Sequence, residues 1–529
     1  MRKIKRNSRH ILVASFALFF CTALKAQNDL DLLITGAKVF LGKDFKNLDV
    51  GIKGEKIVYV GVSQKKMSAN HSVDGSGFIL SPGFIDPHTH LTYDLSREDR
   101  KENLPYLMQG VTTIVTGNDG SSPIFIGDKL QEWEKNGIGT NAALLIGHGS
   151  VRKEVLGLDD VQPTAGELEE MKSLVARAME EGAFGISTGL FYSPGSYSNT
   201  EEVIELSKVA SKYGGIYDTH MRDESSYTIG LIKSIEEVLE IAEKASIPVH
   251  ISHIKALGKD VWGKSDEVIK MIEDAQQQGL EVTANQYPYP ASRTNLISAV
   301  IPRWAEDGGY KSLLQRFDDN SIRDSLQAGI KENIRRRGGP ETLVFSSAED
   351  SLLNGRSLEE IAESWQINPS QAVIKALRED EGIRVVSYNM TDEDLRNFMR
   401  QDWVMTGSDG TSGHPRKYGS FSVKMRKFYG EDKIMDLPFL LHNQSALVAE
   451  TFGIEKRGKI EEGYYADLIL FKPQEVKDRA TFDEPSQLSS GMFLVVVNGK
   501  VVIKDGEFIG ELAGKSLRKK QNKKNQTKK

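Results

Sequence analysis

The sequence predicts an α/β protein built as a (β/α)8 barrel, with a small β-sandwich made from both chain ends and an insertion before the last barrel strand. Three observations predict it. Apolar strands and amphipathic helices alternate through the middle of the chain, with eight strand ends near Asp86, Gly117, His148, Thr188, His220, His253, Gln286 and Asp409. Two β-rich stretches bracket that alternation. The length, 529 residues with 39% hydrophobic and 27% charged side chains, suits one large globular enzyme and excludes disordered, collagenous or coiled-coil classes.

In chain order, residues 1–26 read as a secretory signal peptide: a basic start (MRKIKRNSRH), an apolar run (ILVASFALFFCTA) and a cleavage site after Ala26. The run is shorter than the roughly 18 residues a membrane span requires. Phe20 stands before Cys21 where a lipoprotein signal has a small residue. Cleavage removes six basic residues and the single cysteine, taking the formal charge from −6 to about −12. The expectation is a periplasmic or secreted protein with no disulfide, no cysteine metal ligand, no transmembrane segment in the mature chain and no basic field for nucleic acid.

Residues 27–80 carry DLLITGAKVF, VGIKGEKIVYVG and GSGFIL, alternating strands separated by Gly and Lys turns. Residues 451–510 carry GYYADLILF and MFLVVVNGKVVIKDGEF in the same style. Neither stretch completes a sandwich alone, so they pair with each other. The barrel occupies 81–450, with helical periodicity in EEVIELSKVASKY and SIEEVLEIAEKA. An excursion over about 293–397, with its own helices and strands, covers the barrel mouth. The end, 511–529, reads as a basic disordered tail: eight Lys or Arg and no acid lie from Lys515 to Lys529.

The histidines carry the functional signal. Six of ten (His88, His90, His148, His220, His253, His414) fall at or just after a strand end, where active sites of such barrels lie. His88 and His90 alternate on an extended segment, so both rings point one way, as a metal requires. A lone histidine such as His220 or His253 is more often a hydrogen-bonded core residue. Four at the strand ends of one barrel reverse that reading. His250 stands three before His253, so the pleat sends them to opposite faces; His253 is then the ligand and His250 structural. Asp409, in WVMTGSDG, can bind a metal, accept a proton from water and pass it to a leaving nitrogen. Alone it is equally a turn residue beside Gly410. Arg416 in HPRKYG can pair a substrate carboxylate bidentately, and Ser292 and Arg293 can assist through hydroxyl and charge. His148 and Arg152 receive no role.

PGFIDPHTH, TGLFYSPG, THMRDE, ISHIK, NQYPY and GSDG followed by HPR resemble the amidohydrolase superfamily, and more closely its N-acyl-D-amino-acid deacylases (D-aminoacylases). The resemblance runs from about Leu30 to about Glu507. It implies the same barrel and sandwich, one or two Zn2+ ions, and hydrolysis of a small-molecule N-acyl-D-amino acid to a carboxylate and a free D-amino acid. Where that family has G-N-C-G with a ligating Cys, this chain has GNDG, placing Asp119 there; a carboxylate is also anionic and able to bridge, but harder. The implied ligands are His220, His253 and Asp119, with a second, weaker site of His88, His90, Asp119 and Asp409. The family pattern further points to Lys255 and Tyr287 for the substrate carboxylate. No Lys lies in AFGISTGL, so no carbamylated lysine is implied. Leu91, Thr92 and Tyr93 separate the HxH pair from Asp94, so the family's acyl preference does not carry over. Two other readings stay open: an amidohydrolase for another amide, a dipeptide or a cyclic amide, and a non-catalytic exported binding protein.

Overall fold

The computed structural model describes residues 29–62 and 67–520. The signal-peptide reading over 1–26 lies outside the described residues.

Eight parallel strands form the barrel. β1 (Phe84–Thr89) pairs with β2 (Val111–Thr116), and β2 with β3 (Asn141–Leu144, resumed at Ile146–Gly147). From β3 the order runs through β4 (Gly185–Gly189), β5 (Ile216–His220), β6 (Val249–Ile251), β7 (Val282–Gln286) and β8 (Val404–Thr406). The ring closes where Thr89 bridges Gly410 in parallel and the Asp409 N–H donates to the His88 carbonyl at 2.9 Å.

Alternation along the strands separates two cores. Phe84, Ile114, Leu144, Tyr217 and Val404 face the surrounding helices. Ile85, Val115, Ala143, Leu145, Ile216 and Met405 face inward and, with Phe452, form an apolar floor. Above the floor the interior becomes polar. Asp218 accepts from Asn118 Nδ2 at 3.0 Å and Ser252 Oγ at 3.2 Å, and Asp86 accepts from the N–H groups of His88 and Ser408 at 3.0 and 3.1 Å. Burial pushes both carboxyls up to about 7.

Local signals set the helices. Thr164 and Glu167 form a capping box that starts helix Ala165–Glu181, whose buried stripe is Met171, Val175, Ala178 and Met179; Gly182, at φ +115°, ends it. Gly117 ends β2 at φ +83°, where a Cβ would stand 2.5 Å from the Leu145 carbonyl oxygen.

The two chain ends meet in one nine-stranded sheet, joined where Leu468–Phe471 pairs antiparallel with Ile79–Pro82. It encloses its own core of Leu32, Ile34, Val50, Leu468 and Val496. Between β7 and β8 the chain leaves the barrel to build a three-stranded sheet (Ala291–Asn295, Arg384–Tyr388, Leu343–Ser347) and a helical cluster with a separate core that includes Ile330, Phe345 and Val373.

Three features differ from expectation. β1 continues past Asp86 through a register shift to Thr89, so His88 lies within the strand. His250 and His253 both point into the barrel, because His253 follows the end of β6 at φ +35° and breaks the alternation; His250 lies a layer deeper, bonded to Thr283 Oγ1 and Asn285 Nδ2 at 2.8 Å each. The tail expected from residue 511 is bound as far as Lys519. The N–H groups of Gly514, Leu517 and Lys519 donate to the carbonyls of Ile138, Ala142 and Gly182, and Leu517 packs on the barrel floor. The segment's basic side chains find acids elsewhere in the chain, such as Glu455 for Lys520 at 2.6 Å, which its own composition does not show. Among the described residues no helix is long and apolar enough to cross a membrane.

Candidate active site

All six side chains expected to hold metal converge at the C-terminal mouth of the barrel. They form two groups that share Asp119: His88, His90, Asp119 and Asp409, and Asp119, His220 and His253, with donor atoms within 4.8 Å of one another in each. Asp119 Oδ1 is 3.4 Å from His88 Nε2 and 3.6 Å from His253 Nε2; its Oδ2 is 3.5 Å from His90 Nε2 and 3.8 Å from His220 Nδ1. His90 Nε2 approaches Asp409 Oδ1 at 2.9 Å, and His220 Nδ1 approaches His253 Nε2 at 2.9 Å.

A cation fits this cluster. His88 is fully buried with neither ring nitrogen hydrogen-bonded, and Asp119 Oδ1 is equally buried and unpartnered. Buried polar atoms left without partners carry a desolvation cost that a bound cation offsets. The backbone also bends to present these groups: Asp119, His253 and Asp409 take φ of +55°, +35° and +47°, a conformation costing a non-glycine residue on the order of 1–3 kcal/mol. Asn118 braces the first of these turns, donating to the Pro87 carbonyl at 3.1 Å as well as to Asp218.

Without a cation, charge is divided within the cluster. Burial, and the neighbouring His253, hold His88 down at about 4 in spite of Asp119 and Asp409. Burial also opposes charge on His90, but hydrogen bonds to Asp119 and Asp409 outweigh it and hold the ring up at about 9. For His253, burial and Lys255 are outweighed by Glu224 and Asp119, again giving about 9. Asp409 lies far below the usual carboxylate range: burial works the other way, but Arg416 and His90 dominate.

Three of the six, His220, His253 and Asp409, line a pocket whose walls also include the residues expected to bind substrate, Lys255, Tyr287, Ser292, Arg293 and Arg416. Tyr287 is 1% exposed with its hydroxyl unpartnered. Arg416 stacks over the Tyr287 ring at 4.8 Å and pairs with Asp409 at 2.7 Å. Ser292 Oγ accepts from Asn389 Nδ2 at 3.0 Å. Lys255 Nζ reaches the pocket but is shared between Glu224 Oε1 at 2.6 Å and His253 Nδ1 at 2.7 Å.

Sequence reasoning left Glu224 without a role. Its carboxylate lies 3.1 Å from His253 Nδ1 and 3.7 Å from His220 Nε2, so it faces the nitrogen of each ring that is turned away from Asp119. Such partners fix the tautomer and orientation of ligating imidazoles. The available signal was its place four residues after His220 in THMRDE. Phe191 and Tyr192, from TGLFYSPG, pack on the His220 ring with centroids 5.6 and 4.7 Å away. The remaining strand-end histidines serve elsewhere. His148 bonds Glu202 at 2.7 Å, and His414 bonds the Ala291 carbonyl at 3.1 Å, anchoring the insertion's first strand. Asp94 lies outside the pocket lining and pairs with Lys417 at 2.7 Å.

Comparison with known proteins places this geometry among relatives. The amidohydrolase family pattern matches residues 72–503. A D-aminoacylase of Alcaligenes xylosoxydans xylosoxydans is 30% identical over 516 residues, covering 92% of this chain and 97% of that protein. A crystal structure of a D-aminoacylase superposes with a TM-score of 0.80 at 30% identity, over 93% of this chain and 100% of the other. The N-acyl-D-glutamate deacylase of Bordetella bronchiseptica, crystallised with zinc and a phosphonate that mimics the tetrahedral intermediate, superposes with a TM-score of 0.79 at 27% identity, over 92% and 99% of the two chains.

Proposed function

The chain belongs to the amidohydrolase family, and from that membership we propose that it cleaves the amide bond of N-acyl-D-amino acids, releasing a carboxylate and a free D-amino acid. The observation that carries the proposal is the pair of ligand groups sharing Asp119, whose members His220, His253 and Asp409 line a pocket that also holds Lys255, Tyr287, Ser292 and Arg416.

Imidazole and carboxylate donors at low coordination number suit zinc, the metal of the Bordetella structure. We assign His220, His253 and Asp119 to one ion, and His88, His90, Asp119 and Asp409 to a second, weaker one. When bound, zinc supplies Lewis acidity toward the amide carbonyl and lowers the pKa of water. The protein supplies position and proton transfer. Arg416 keeps Asp409 ionised through the neutral range, so Asp409 can take a proton from the attacking water and deliver it to the departing nitrogen. Glu224 holds the His220 and His253 rings in place. Tyr287, Ser292, Arg416 and Lys255 receive the α-carboxylate, which orients the amide over the cluster.

We further propose export to the periplasm or beyond, supported by the residue pattern of 1–26 and by the single cysteine lying within that segment. Mass spectrometry of the secreted protein should find Gln27 at its N-terminus.

The test of activity is a panel of N-acyl-D-, N-acyl-L- and cyclic amides with the zinc-loaded protein. Turnover should be confined to the D-series, be lost on chelation and return with zinc. Hydrolysis of cyclic amides or of the L-series alone sinks the proposal.

A further inference from the structure

Three buried side chains meet on the side of His253 that is turned away from the metal cluster. Glu224 Oε1 accepts from Lys255 Nζ at 2.6 Å and lies 3.1 Å from His253 Nδ1, while Nζ and Nδ1 stand 2.7 Å apart. All three residues are buried, so solvent does little to screen these contacts. His253 Nε2 faces Asp119 Oδ1 at 3.6 Å and is the nitrogen placed to ligate. A neutral imidazole that ligates through Nε2 carries its hydrogen on Nδ1, where Glu224 Oε1 is the acceptor in reach. The Lys255 ammonium is a donor only, so two donors compete for one oxygen.

The competitors differ in freedom. The backbone of His253 is held by its N–H, which donates to Asn285 Oδ1 at 3.0 Å. Glu224 sits in a fixed turn: the Asp223 carboxylate accepts from the N–H groups of Ser225, Thr228 and Gly230 at 2.9, 2.6 and 3.0 Å. The Glu224 carbonyl also accepts from the Leu257 N–H at 2.9 Å. Lys255 instead has a flexible four-carbon stem and lines the substrate pocket. Its Nζ is 5.8 Å from the centre of the Tyr287 ring, whose hydroxyl is buried without a partner among the described residues. A carboxylate bound beside Tyr287 gives Lys255 a second anion to turn to.

Resting on the deacylase reading above, we propose that Glu224 couples the substrate's α-carboxylate to the metal. A carboxylate in the pocket draws Lys255 off Glu224, which leaves Oε1 to the His253 ring and tightens the ion held by His220, His253 and Asp119. An imidazole whose outer N–H has a carboxylate to itself is the stronger ligand. Glu224 Oε2, 3.7 Å from His220 Nε2, extends the effect to the second ring. Linkage is reciprocal, so the loaded site also binds the carboxylate more tightly. Glu224 is in this sense a positioning residue, acting through the two rings and set by Lys255.

The test measures zinc affinity rather than turnover. Competition with a chromogenic chelator gives the zinc dissociation constant of the tighter site. It is measured for the protein alone, with saturating N-methanesulfonyl derivatives of D-alanine, D-leucine and D-glutamate, and with their α-methyl esters. Sulfonamides lack the scissile amide and are not consumed. At least one free acid should tighten zinc by about fivefold or more, and its ester by less than about twofold. Glu224→Gln keeps the shape without the charge, and should bring the effect of the acid to within about twofold of the ester's. Lys255→Met should do the same, and supplies the comparison if Glu224→Gln does not fold. Equal tightening by acid and ester, or tightening by none of the compounds, overturns the proposal. So does tightening that survives in a folded variant, which marks direct coordination of zinc by the added carboxylate. Hydrolysis of N-acyl-D-amino acids with a zinc affinity indifferent to the carboxylate overturns the coupling alone. Absence of hydrolysis across the D-series removes the deacylase reading, and the zinc titrations still decide the coupling.

Discussion

Asp409 stands between Arg416 at 2.7 Å and His90 at 2.9 Å, with its side chain aimed into the barrel by a positive φ. Asp409→Asn keeps that shape but can neither accept nor deliver the proton, so kcat should fall by about a hundred- to ten-thousand-fold with KM little changed. Metal content measured on the same sample separates this from loss of the ion. Turnover within about threefold of the parent, with metal retained, removes Asp409 from the proton path. Tyr287→Phe tests the clamp. Loss of its hydroxyl should raise KM for free-acid substrates by about ten- to a hundredfold, as a lost hydrogen bond to a charged group predicts, and leave methyl esters much less affected. Equal losses on acid and ester count against the clamp. Lys255→Ala is the less clean experiment, because Lys255 also touches His253 and Glu224. At this scale the sequence was informative where a residue type and a strand end coincide, as at His220 and Asp409. It was silent where a role depends on a partner from another strand. Glu224 is defined by Lys255 and His253, and its place four residues after His220 does not by itself disclose those partners.

At the scale of elements, the helix beginning at Arg416 continues through Lys424–Glu431 as a π-helix and places Lys424 where its ammonium is buried without a partner among the described residues. Burial pulls its pKa down to about 7, while the unfolded chain titrates near 10.5. Between those values the unfolded chain holds the extra proton, so stability falls as pH drops from 10.5 toward 7 and the full penalty is present below 7. Lys424→Met should therefore raise Tm most at pH 6–7 and have little effect near pH 10.5. A Tm gain independent of pH would falsify the burial of a charge there. The strands and helices themselves follow from apolar periodicity and caps such as Thr164. What periodicity does not contain is irregularity: the register shift in β1 that brings His88 inside the strand, and the turn after β6 that puts His253 on the same side as His250.

For the whole molecule, the barrel's seal at its N-terminal end depends on residues that read as a solvated tail. Ending the chain at Gly510 removes the backbone hydrogen bonds of Gly514, Lys515, Leu517 and Lys519 to the barrel and uncovers the apolar floor on which Leu517 packs. At about 1 kcal/mol net for each bond, Tm should fall by about 5 °C, while kcat is retained because the active site lies at the opposite mouth. An unchanged Tm shows the segment to be merely laid on the surface. The barrel and the sheet made from both ends were legible as a whole, since strand count and bracketing β-stretches are properties of the entire chain. The binding of the final segment was not, because a run of lysines describes its own solvation and says nothing of the acids and carbonyls waiting elsewhere.

The antiparallel pairing of Ile79–Pro82 with Leu468–Phe471 joins positions almost four hundred residues apart in a sheet that neither end completes alone. On a ribosome, the early strand emerges long before its neighbour exists, and Asp409 arrives long after His88. The metal cluster, the barrel closure and the shared sheet are thus all withheld until synthesis is nearly finished. Folding of this chain is consequently a late, collective event with high contact order. Completion of the polypeptide, rather than its beginning, decides when the catalyst comes into being.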